Sequence, residues 1–111
     1  MNSEIQSPFI LIKRLEADVL RLLSHIDITD LDSVQQRTLI QLKNEMTDAR
    51  LDVQDYELAE TREHQLRNAK DAIRRLAHVQ KAISDNDLHV FGAVDVAHLL
   101  AQIGQVTDRL K

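Results

Sequence analysis

The chain has 111 residues, a formal net charge of -4 and no cysteine, which excludes a disulfide framework and a thiolate metal site and counts against a phosphate-backbone binder, whose surface carries a basic surplus. At 43% apolar and 3% aromatic, it has the size of one domain and too few rings to give bases a stacking platform. The longest apolar run, Phe9 to Ile12, is too short for a bilayer span or a secretory signal core, so the chain is expected to be soluble and cytoplasmic.

Met1 to Gln6 is polar and expected to fray. Ser7-Pro8 is a helix-entry pair: Ser caps, and Pro at the first helical position loses an N-H that would be unsatisfied there anyway. Ile12, Leu15, Val19, Leu22 and Ile26 then recur at spacings of three and four, widened by Phe9, Leu20 and Leu23 into a face broad enough for more than one neighbour. This first helix, over about 8–25, should end where Asp27 to Asp32 combines β-branched and capping residues that compete with helix.

From Ser33 to Ser84 there is neither Gly nor Pro, and the stretch is expected to be one long helix over about 33–84. Ser33 and Gln36 form a capping box, with Asp30 and Asp32 beside the positive end of the helix dipole. Leu39, Leu42, Met46, Ala49, Val53 and Tyr56 make one apolar stripe, and Leu66, Ala69, Ile73, Leu76 and Ile83 repeat the spacing. Charge divides at the same place: Asn44 to Glu63 carries a net -5, whereas His64 to Lys81 carries five bases against Asp71, a net +4.

Apolar positions mirror about a point between Arg62 and Glu63. Leu42 pairs with Ile83, Ala49 with Leu76, Tyr56 with Ala69 and Ala59 with Leu66. Two copies of an unbroken helix lying antiparallel would use that symmetry, as would a single chain bent near residues 60–64. A helix-to-helix turn normally recruits Gly, Asn, Asp or Pro, and only Thr61 offers a new cap here, so the continuous helix and the dimer are expected. The candidate interface is Leu42, Met46, Ala49, Val53, Tyr56, Ala59, Arg62, Glu63, Leu66, Ala69, Ile73, Leu76 and Ile83.

Ser84 to Asp87 is a helix-ending cluster. Val96, Leu99, Leu100, Ile103, Val106 and Leu110 then restore a helical stripe over about 94–110, with Asp95 as an N-terminal charge. Gly104 forms a small-residue strip with Ala97 and Ala101. The expected fold is therefore all-α: a long central helix flanked by two shorter antiparallel helices in a dimeric helical bundle. The alternative is a monomeric up-down-up-down four-helix bundle.

Chemistry is sparse. Glu60 with His64 at i, i+4 and Asp95 with His98 at i, i+3 are the two helical pairs with metal-ligand character, and neither has a third ligand at helical spacing. There is no Glu-x-x-His motif, Gly-rich phosphate loop or nucleophile-and-base motif. No catalytic residue, metal or cofactor is expected. Arg67, Lys70, Arg74, His78 and Lys81 line one side of the long helix, a face for an anionic partner, a nucleic-acid backbone or the acidic half of a second chain. By elimination the chain is expected to be a non-enzymatic protein-protein interaction protein of the small chaperone, adaptor, immunity or regulatory type, acting as a homodimer and binding a further protein. The alternative is a regulator that contacts nucleic acid through the basic half of the long helix.

Overall fold

The computed structural model describes residues 6–111, so the expected fraying of Met1 to Gln6 falls outside it for the first five. Among the described residues four helices make up the fold: α1 (Pro8–Leu23), α2 (Ser33–Leu58), α3 (Arg62–Asp85) and α4 (Ala93–Leu110), with a 3-10 turn at Ile28–Asp30. No strand occurs among the described residues.

Each helix begins and ends for an identifiable reason. Ser7 caps α1 by accepting the Ile10 N-H, with Pro8 at the first position as the sequence indicates. The capping box of α2 sits one residue earlier than Ser33 and Gln36 would place it. Asp32 Oδ1 accepts from the Gln35 N-H at 2.8 Å and Gln35 Oε1 accepts from the Asp32 N-H at 3.1 Å. Asp32 fits the same motif and adds a full negative charge at the helix N-terminus, which a serine hydroxyl cannot. Asn86 ends α3 in the left-handed region (φ 50°), and its amide clamps the connection that follows, donating to the Phe91 carbonyl at 2.7 Å and accepting the Phe91 N-H at 3.2 Å. Asp95 Oδ2 accepts the Gly92 N-H at 3.1 Å at the start of α4.

The continuous helix over residues 33–84 does not form. α2 stops at Leu58, Ala59 turns to extended backbone (ψ 133°), and Thr61 caps α3 by accepting the His64 N-H at 3.1 Å. A straight helix of that length would span roughly 75 Å, whereas the longest dimension of the molecule is 45 Å. The physical reason is the phase of the apolar stripe. The buried residues of α2 are Leu39, Leu42, Met46, Ala49 and Val53, and those of α3 are Ala69, Ala72, Leu76, Val79 and Ile83. At about 100° per residue an unbroken helix would rotate the second set roughly 100–140° away from the first. One seam could not serve both. Breaking the helix at 59–61 resets the phase and lets both stripes face one core.

Contacts at the helix ends fix the directions. The Phe9 N-H at the start of α1 donates to Glu57 at the end of α2, and Arg50 meets Glu16 at 3.1 Å, so α1 and α2 are antiparallel. Arg75 on α3 reaches back to Asp52 on α2, and Gln102 on α4 donates to Asp18 on α1. Each helix packs on its chain neighbours, and α1 packs on α4 to close the ring. Ile12, Leu15 and Val19 of α1 and Leu99, Ile103 and Val106 of α4 complete the core, and Leu88 and Phe91 from the last connection cover one end. Burying each of the larger side chains contributes about 1.5–3 kcal/mol. Among the described residues no helix is long and apolar enough to cross a membrane.

Candidate functional site

The acidic and basic halves of the central segment do lie side by side, within one chain. Arg75 on α3 donates from Nε to Asp52 Oδ2 at 2.8 Å and from Nη1 to Glu45 Oε1 and Asp48 Oδ2, each at 3.4 Å. His78 Nδ1 lies 2.8 Å from Glu45 Oε2. The three carboxylates sit on the edge of α2 that faces α3, and the Arg75 side chain is only 26% exposed.

Burial pushes the Asp52 carboxyl above the usual carboxylate range, since desolvation together with the nearby charges of Asp71 and Asp48 outweighs the Arg75 hydrogen bond and charge. Burial acts to lower the Arg75 guanidinium and is outweighed by the Asp52 hydrogen bond and the surrounding carboxylates, so it stands above its ordinary value. One cation thus closes a hairpin against three acids.

The expected interface residues divide into three groups. Leu42, Met46, Ala49, Val53, Ala69, Leu76 and Ile83 are buried inside the chain's own core. Tyr56 and Ile73 are half-buried against that core, and Ala59 is half-buried at the bend. Arg62, Glu63 and Leu66 remain exposed, with Leu66 at 48%. The mirrored apolar seam is closed intramolecularly, so in this conformation its buried members offer nothing to a second copy.

The basic face survives in part. Arg67, Lys70, Arg74, His78 and Lys81 are all exposed. Arg74 pairs with Asp71 at 3.4 Å, Lys81 with Asp85 at 2.9 Å, and His78 faces Glu45. That leaves Arg67 and Lys70 without an ion pair among the described residues. The pairs reduce the field this face can present to a phosphate backbone.

Neither metal-type pair comes together as its spacing suggests. Glu60 lies in the bend, outside both helices, so the i, i+4 geometry with His64 is not realised. Asp95 accepts the Gly92 N-H, and His98 faces Asp18 at 3.9 Å instead. Among the described residues no three His, Cys, Asp or Glu side chains are grouped to hold a metal ion.

A depression of about 470 Å³ is an open groove beside the Arg75 cluster, lined by Thr38, Gln41, Leu42, Asn44, Glu45, His78 and Ala82. Thr38 donates its hydroxyl to the Val34 carbonyl of its own helix, an ordinary i-4 bond. A smaller cleft between α1 and α4 is lined by Leu11, Arg14, His98, Ala101, Gln102 and Gln105. The Gln102 Oε1 atom is buried without a hydrogen-bond partner among the described residues, while its amide N-H donates to Asp18 Oδ2 at 3.1 Å.

A surface the sequence stripes do not include lies on the outer side of α2. Ile40, Leu51 and Leu58 are 52%, 42% and 69% exposed. Their spacings of eleven and seven place them within about 20° of one another around the helix, on the side away from the core. The same spacings are present in the sequence but are masked there by the stronger core stripe. No protein-family model, no curated protein and no solved structure matches the chain.

Proposed function

We propose that the chain is a non-enzymatic protein-protein interaction module whose working form is a homodimer, of the kind that serves as an adaptor, small chaperone, immunity protein or regulator. The observation that supports this reading is the row of exposed Ile40, Leu51 and Leu58 on one side of a helix whose other side already fills a complete core. Isolated surface apolar residues need no explanation, but an aligned row on a rigid helix is a surface suited to another helix. The groove beside the hairpin is open, and two of its lining side chains, Glu45 and His78, are already paired with each other, Glu45 with Arg75 as well.

Sedimentation velocity over a concentration series tests the reading. The expected result is a concentration-dependent shift from the 12.7 kDa chain to a particle of twice that mass. A single species of chain mass at every concentration would remove the homodimer from the account.

A further inference from the structure

On the outer side of α2 the three apolar residues belong to a longer uncharged stripe. Ile40, Asn44, Thr47, Leu51, Gln54 and Leu58 follow one another at spacings of four, three, four, three and four, the period of a helix-helix seam. None of the six is charged, although the helix they stand on carries eight charged residues: Arg37, Lys43, Glu45, Asp48, Arg50, Asp52, Asp55 and Glu57. The order is also its own mirror image about the level of residue 49. Ile40 mirrors Leu58, Asn44 mirrors Gln54, and Thr47 mirrors Leu51.

A stripe with that symmetry is complementary to itself run backwards. We infer that α2 docks antiparallel on α2 of a second copy through this stripe, about a two-fold axis at the level of residue 49. This rests on the homodimer reading above and names the face and direction of the dimer. In that arrangement Ile40 packs on Leu58 of the partner subunit at both ends. Asn44 meets Gln54 of the partner subunit, two carboxamides that can each donate and accept, the Gln54 Oε1 atom also accepting from Arg50 of its own helix at 3.5 Å. Thr47 packs on Leu51 of the partner subunit beside the axis. Amides at seam positions lower affinity and favour the register that sets them against one another.

Charge at one margin agrees. In a two-fold antiparallel pair each margin of the seam meets the same margin of the other copy. On the margin towards α1, Lys43 is level with residue 55 of the other chain, about 3 Å along the helix from Glu57. Glu57 already accepts the Phe9 N-H through one carboxylate oxygen at 3.1 Å, and the second has no partner among the described residues. On the other margin Asp48 approaches the axis from both copies, a like-charge contact that each copy's own Arg75 at 3.4 Å offsets only in part and that weakens the pair. The contact runs over about 27 Å of helix with six apolar anchors in the pair. That puts it at the small end of specific interfaces, so the dimer should be weak and concentration-dependent.

The test uses the absence of native cysteine. Chains carrying Ile40→Cys are mixed with chains carrying Leu58→Cys and oxidised mildly; the mixture should give a disulfide-linked heterodimer. Either variant alone should give none, because in the antiparallel pair two copies of residue 40 lie about 27 Å apart along the axis. Leu51→Asp should raise the dissociation constant by about a hundred-fold or more. Its helical circular dichroism should be unchanged, since Leu51 lies outside the core. Cross-linking of Ile40→Cys chains with themselves would overturn the antiparallel direction. A wild-type dimer whose affinity Leu51→Asp leaves intact would overturn this face while leaving the homodimer standing. A wild-type chain that stays monomeric throughout would overturn both.

Discussion

Arg75→Met removes the one cation that three carboxylates of α2 share. Arg75 is about a quarter exposed and makes three charge-assisted contacts, one of them at 2.8 Å. The loss should therefore exceed the 1 kcal/mol ceiling of an exposed pair and fall short of the 3–5 kcal/mol of a fully buried one; about 2 kcal/mol is expected. Glu45, Asp48 and Asp52 are then left as like charges along one edge of the hairpin, which adds to the cost. For a domain of this size that corresponds to a fall in Tm of about 8 °C, read by thermal circular dichroism or by urea unfolding. Asp52→Asn combined with Arg75→Met should cost less than the sum of the two single changes, a coupling of about 1 kcal/mol in a double-mutant cycle. Should Arg75→Met shift Tm by less than about 2 °C, the Arg75 contacts to Glu45, Asp48 and Asp52 are not holding α3 against α2.

Thr61→Ala should cost about 1 kcal/mol in urea unfolding, because the His64 N-H loses its cap, whereas Thr61→Ser should be close to neutral. Asn86→Ala should destabilise the fold more than Asn86→Gly does, since Gly keeps the left-handed dihedral and loses only the two bonds to Phe91. Gly104→Ala should stabilise the chain by roughly 1 kcal/mol, with a rise in Tm of about 4 °C, because a Cβ there meets nothing within 4 Å and Ala is the better helix former. The Thr29 hydroxyl and N-H hold the Asp27 carboxyl below its ordinary value, so its contribution is fully present above the unfolded pKa of 3.8 and is lost as pH falls through the lower folded value. Asp27→Asn should remove that part of the acid slope in a pH series of urea midpoints. Asp52 has the opposite sign: its raised carboxyl favours folding below pH 3.8 and the advantage is lost as pH rises through the folded value.

Helix content and most helix ends were legible because their signals are local. Ser7-Pro8 and the 84–87 cluster carry their own capping chemistry, and the four core stripes repeat at helical spacing. The bend was not legible from turn residues, because Ala59-Glu60-Thr61 contains no Gly, Pro or Asn and needs only one extended residue and a threonine cap. Its signal lay in the phase between Val53 and Leu76, which follows Ala72 and Val79 in α3 rather than the expected Leu66. The mirrored charges pointed correctly to acid beside base, yet spacing alone cannot tell whether a mirror closes within a chain or between chains. Arg75 was hidden among neighbouring bases, since only the facing helix distinguishes it from Arg74. Ile40, Leu51 and Leu58 were eclipsed for a related reason: a helix with two apolar stripes shows the denser one first.

The bend at residues 59–61 is what turns a mirrored sequence into a closed four-helix core, and a distance across the hairpin tests it most directly. Gln41 on α2 and Ser84 on α3 are both exposed and stand at the same end of the hairpin. Spin labels at these two positions, diluted with a large excess of unlabelled chain, should report a separation on the order of 10–20 Å, set by adjacent helix axes and the label arms. A dominant separation of about 65 Å in the diluted sample, the length of 43 helical residues, would mean an unbroken helix and would contradict the fold described above.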